Sequence, residues 1–88
     1  MYILQFINTY TQEILRIASY DDPIQINRMI EGFKEASKID SPAYIIDNQR
    51  RTLNAEYVFH NVITEGNDTI YKVFFIVSLA EMQAKIVD

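Results

Sequence analysis

The run Ile70-Tyr71-Lys72-Val73-Phe74-Phe75-Ile76-Val77-Ser78-Leu79 decides the fold, because it is apolar on both of the faces that a strand presents. Side chains alternate along a strand, so Tyr71, Val73, Phe75, Val77 and Leu79 point one way and Ile70, Phe74 and Ile76 the other. Two apolar faces need two covers. Working outward from this run, the sequence supplies one of them without ambiguity.

That cover is an amphipathic helix. Asp21-Asp22-Pro23 marks its start, since Asp22 can accept hydrogen bonds from the free amides of a first helical turn and Pro23 suits the position that needs no donor. Ile26, Met29, Ile30, Phe33 and Ala36 then recur at three- and four-residue spacing as one apolar stripe. Asn27, Arg28, Glu31, Lys34, Glu35 and Lys38 fill the opposite side. Gly32 costs up to about 1 kcal/mol relative to alanine, and is expected to let the helix approach the sheet closely. The helix should stop at Ile39-Asp40-Ser41-Pro42, where the residue before proline is pushed out of helical geometry.

The other segments read as strands. Residues 2–10 alternate imperfectly, and Asn8-Thr9-Tyr10-Thr11-Gln12 turns the chain into a return strand over Glu13–Tyr20. Ala43–Asp47 is a short strand, followed by the polar turn Asn48-Gln49-Arg50-Arg51. Glu56–Thr64 is a longer strand by its β-branched and aromatic density, and Glu65-Gly66-Asn67-Asp68 turns it into the opening run. The order is therefore β-β-α-β-β-β. The fold class is α+β: a small single domain over residues 1–88, with a mainly antiparallel sheet packed on one amphipathic helix. Residues 79–87 admit two readings. Ser78 and Glu81 resemble a capping box, with Leu79, Met82 and Ile86 on one face of a short C-terminal helix; alternatively the strand continues into a frayed tail.

Length and charge narrow the function. An 88-residue chain buries only roughly 64% of its unfolded surface, and with no cysteine to staple it, association is the remaining route to extra stability. The hydrophobic and charged contents of 49% and 23% are those of a globular domain rather than a disordered one. A net charge of -4 works against binding to nucleic acid, whose phosphates require clustered Lys and Arg. The apolar N-terminus lacks a basic region and a small-residue cleavage site, and the run Val73–Val77 is too short to span a bilayer. The expectation is a cytoplasmic protein with no membrane contact. The lean towards Ile, Asn, Tyr, Phe and Lys is the bias of AT-rich coding, as in low-GC bacteria and their phages.

No constellation for catalysis stands out. His60, the sole histidine, has only Glu56 and Thr64 as polar neighbours on its expected face. Asp21, Asp22 and Glu13 lack the alternation of a calcium loop, and two glycines cannot build a phosphate cradle. No enzyme activity, cofactor or metal is expected. The adjacent pair Arg50 and Arg51 could dock on carboxylates or phosphate through forked hydrogen bonds. The principal expectation is a protein-interaction module, a homodimer or an adaptor for another protein, in the manner of small regulators or inhibitors carried by phages and mobile elements. Its contact surface would be Phe74 and Ile76 with Val58 and Val62 around His60 on the neighbouring strand. The alternative is a small-ligand-binding domain with Tyr20, Tyr44 and Tyr57 lining a pocket between helix and sheet.

Overall fold

The computed structural model describes residues 1–47 and 49–77. Its elements are β1 (Tyr2–Asn8), β2 (Ile14–Tyr20), α1 (Ile24–Lys38), β3 (Ala43–Ile46), β4 (Thr52–Glu65) and β5 (Asp68–Val77), so the β-β-α-β-β-β order and the α+β class hold. The strands form one sheet in the order β2-β1-β5-β4-β3. Its central pair, β1 with β5, is parallel, and the other three pairings are antiparallel. Hairpins account for those three, while α1 carries the chain across the sheet from the β2 edge to the β3 edge.

The doubly apolar run is the central strand, with a neighbour on each side along most of its length. One of its faces meets the helix. Val73, Phe75 and Val77 join Leu4, Phe6, Leu53, Ala55, Ala43 and Ile45 in a core closed by Ile26, Ile30 and Phe33 of α1. Phe6 and Phe33 meet with ring centroids 5.9 Å apart. Leu4, Ile26, Leu53, Val73 and Phe75 are fully buried, and burial of a side chain of this size contributes about 1.5–3 kcal/mol before entropy is counted.

The helix begins one residue later than expected. Pro23 is its N-cap residue, and the Asp22 carboxylate accepts a hydrogen bond from the Ile24 amide at 2.9 Å, so Asp22 serves the first turn from just outside it. At the other end Ser41 N–H donates to the Ala36 carbonyl at 2.9 Å while Asp40 adopts φ 59°. This is a Schellman-type stop with aspartate in the left-handed position usually given to glycine. The expected role of Gly32 does not hold. A Cβ at that position would meet nothing within 4 Å, and the residue is exposed, so no close approach to the sheet depends on it.

β4 starts at Thr52, four residues before the expected Glu56, because Thr52–Ala55 pairs with β3 and buries Leu53 and Ala55. Gly66, at φ 63°, is the first central residue of the two-residue turn between Glu65 and Asp68, as a type II′ hairpin requires. The two readings of residues 79–87, helix or continuing strand, lie outside the described residues, as does the place of Leu79 in the opening run. Among the described residues no helix is long and apolar enough to cross a membrane.

Candidate functional site

The face of the sheet away from α1 is the surface that the sequence singles out. Cross-strand partners share a face, so the register assigns its occupants directly. Ile3, Ile70 and Ile63 form one row; Gln5, Lys72 and Asn61 the next; Ile7, Phe74 and Phe59 a third; and Ile76 stands beside Glu56. Ile7 and Ile70 are buried, Phe74 and Ile76 are half-buried, and Phe59 is 47% exposed. The Phe59 and Phe74 rings stack with centroids 4.5 Å apart and planes within 13°. This offset-type aromatic pair is the apolar centre of the face. Two acceptors on the same side, Gln5 Oε1 and Asn54 Oδ1, are buried without a hydrogen-bond partner among the described residues.

The expected surface is therefore redistributed. Phe74 and Ile76 lie on this face, but His60 stands opposite Val73 and Val62 opposite Tyr71, on the helix side of the sheet. The cause is a register shift between Tyr57 and Phe59 that leaves Val58 as an extra residue in β4. A bulge of one residue exchanges the faces of everything beyond it. Phe59 and Ile63 consequently take the places that alternation alone gives to Val58 and Val62. The one sequence signal for this is the run of three consecutive apolar residues Tyr57-Val58-Phe59, which breaks the alternation of Leu53, Ala55 and Tyr57.

Beyond Ala55 no described strand pairs with the outer edge of β4. Glu65 and Asp68 flank a two-residue turn and so exchange main-chain bonds across it. Counting back by twos, Ile63, Asn61 and Phe59 direct their N–H and C=O groups to β5, while Thr64, Val62 and His60 direct theirs outward. Among the described residues the edge is closed at one point. Ser37 Oγ accepts from the Tyr57 amide at 2.8 Å and donates to the Phe33 carbonyl at 3.0 Å, so the last turn of α1 caps β4 just before the bulge. A groove of about 260 Å3 opens beside this point, where β3 leaves β4, lined by Ser37, Ser41, Pro42, Asn54, Ala55 and Glu56.

On the helix side His60 Nδ1 and the Tyr57 hydroxyl share a hydrogen bond at 2.7 Å, and Lys34 Nζ lies 5.8 Å above the Tyr57 ring. Among the described residues no carboxylate orients His60, and no group of three His, Cys, Asp or Glu side chains could hold a metal ion. Arg51 is committed to structure. Its amide donates to Asp47 Oδ1 at 2.9 Å and its Nε to Asp47 Oδ2 at 3.3 Å, which closes the β3–β4 connection. These bonds, led by the Arg51 amide and joined by the Gln49 amide and the Arg51 charge, hold the Asp47 carboxyl below its ordinary range against the opposing effect of burial. Arg50 is exposed at φ 62° in the turn between β3 and β4, outside the strand pairings that carry Phe74.

Tyr20, Tyr44 and Tyr57 do not converge. The Tyr20 hydroxyl reaches Met29 Sδ at 3.5 Å, Tyr57 packs edge-on to Phe33, and Tyr44 is exposed on the opposite face with Asn54. Core side chains fill the space between helix and sheet, except for an open groove of about 250 Å3 beside Phe6, Met29, Gly32 and Phe33. No protein-family model matches the chain, and no curated protein or solved structure matches it significantly.

Proposed function

We propose that this protein is a small non-enzymatic interaction module that binds a protein partner, itself or another chain, through the sheet face away from α1. The observation that carries the reading is the Phe59–Phe74 stack, an aromatic pair left half open to water on that face. Aromatic anchors with a surrounding apolar patch are the residues that carry binding energy in protein interfaces. Ile63 and Ile76 extend the patch, and Lys72, Asn61, Gln5 and Glu56 give it a polar margin. A chain of this size acts by occupying a partner's surface, as a regulator or inhibitor does, and its acidic balance favours a protein over a nucleic-acid partner. The setting this reading implies is the bacterial cytoplasm, for a protein of bacterial or phage origin.

Light scattering over a range of concentrations, with retention of partners from lysate as a second readout, tests the reading. Phe59→Asp and Phe74→Asp should each abolish a concentration-dependent mass or the retention of a partner while the far-UV spectrum is kept. Phe59, being the more exposed, is the safer substitution for folding. Equal association by the wild type and both variants would refute it.

A further inference from the structure

The outer edge of β4 from Val58 to Thr64 carries main-chain donors and acceptors without partners among the described residues, and its side chains Val58, Phe59, Val62 and Ile63 are 46%, 47%, 49% and 37% exposed. Natural sheets protect such edges with lysine, proline, bulges or covering segments. Here the protection, the Ser37 cap on Tyr57 and the bulge at Val58, stops where the exposed stretch begins. The stretch has neither Lys nor Pro.

We infer that a second copy of this chain pairs antiparallel along this edge, with Asn61 on the two-fold axis, so that two sheets join into one. The inference rests on the reading of the chain as an interaction module. The register follows from two constraints. Residues that direct their main chain outward must face each other, which allows pairings centred on His60, Asn61 or Val62. Centring on His60 sets Phe59 against Asn61 and carries the bulge into the ladder. Centring on Val62 sets Phe59 against Glu65. Only centring on Asn61 matches apolar with apolar on the Phe74 face, placing Phe59 opposite Ile63 of the second copy, and the reverse, on either side of an Asn61 pair. His60 and Val62 then exchange their free main-chain bonds across the axis. The Phe59–Phe74 stacks of both copies become one continuous apolar strip, and the interface is isologous, as a closed dimer requires. The absence of cysteine and the small core make such pairing the route by which this chain gains burial.

A lone thiol tests the register, because the chain has no cysteine of its own. Residue 61 would form a non-hydrogen-bonded pair with Cα atoms about 4.5 Å apart, within disulfide range. Asn61→Cys should form a covalent dimer under mild oxidation at least roughly tenfold faster than Lys72→Cys, which lies on the same face one strand further in. Val62→Pro removes an outward amide without touching the β4–β5 ladder, and should weaken the dimer by about thirtyfold in sedimentation while keeping the monomer folded. A wild-type monomer at every concentration, or equal cross-linking at positions 61 and 72, would overturn the pairing. A dimer lost in Phe74→Asp but kept in Val62→Pro would also overturn it and leave the face reading standing. A dimer lost in Val62→Pro but kept in Phe74→Asp would uphold the edge and remove the face.

Discussion

Removal of the Ser37 hydroxyl should destabilise the domain through an amide twenty residues away in sequence. Ser37 Oγ is the acceptor for the part-buried Tyr57 N–H, at 2.8 Å, and in Ser37→Ala that donor loses its partner. Leaving a buried donor unsatisfied costs about 1–3 kcal/mol, and the half-open site places this one towards the lower end of that range. The second bond of the hydroxyl, to the Phe33 carbonyl at 3.0 Å, is worth less, because the carbonyl of a helical residue is already engaged by the amide one turn on. Alanine returns about 0.5 kcal/mol of helix propensity. The net loss is about 1 kcal/mol, which for a domain of this size lowers Tm by roughly 4–8 °C. Thermal unfolding gives the total. Amide hydrogen exchange assigns it, since Tyr57 N–H should lose protection while Phe75 keeps its own. An unchanged or raised Tm with unaltered exchange at Tyr57 would show that α1 does not hold the β4 edge, and that the edge is open from Ala55 onward.

Three further outcomes follow from the same structure. Gly32→Ala should stabilise the protein by up to about 1 kcal/mol in chemical denaturation, because a Cβ there meets nothing within 4 Å and the helix gains the intrinsic preference; destabilisation would mean that the groove beside Phe6 and Phe33 is occupied. Asp47 has a native-state pKa lowered from 3.8, so its contribution to stability is present above that unfolded value and is lost as the pH falls through the lower native one. Denaturation midpoints of wild type and Asp47→Asn should converge in strong acid and separate towards neutral pH, and parallel profiles would refute the role of the carboxylate. Phe75→Ala empties the centre of the core and should cost about 3–5 kcal/mol, a large part of the total stability of a domain this small; a variant that still unfolds near the wild-type midpoint would contradict the packing.

The local parts of this fold were legible because each rests on short-range chemistry. The 3.6-residue period from Ile26 to Phe33 identifies α1 and its buried stripe, and the alternation along β5 identifies both the core face and the face opposite. What escaped the sequence was non-local or one residue wide. The parallel pairing of β1 with β5 joins segments some seventy residues apart, and no turn chemistry announces it. The early start of β4 depends on β3, a strand of four residues. Glycine in a helix invites a steric reason, yet Gly32 faces open space. Of the residues expected to form the contact surface, Phe74 and Ile76 are on the face and His60 and Val62 are across the sheet from it.

The bulge at Val58 links these observations, because it determines which side chains the free edge presents to each side. Without it, Val58 would stand opposite Phe74 and His60 opposite Lys72, and the face would carry a histidine where Asn61 now stands. With it, Phe59 stacks on Phe74, and His60 turns towards Tyr57 on the helix side, where the two share a hydrogen bond. The same extra residue interrupts the edge ladder directly after the Ser37 cap, so that the cap and the bulge together mark where protected edge ends and exposed edge begins. Deleting Val58 should therefore straighten the strand without exchanging its faces, because Phe59 would then follow Tyr57 directly and stay opposite Phe74. The patch, and the association it carries, should survive while the ladder closes across the former bulge. A deletion variant that stays folded yet loses its association would show that the bulge itself, and not the side chains it places, makes the contact.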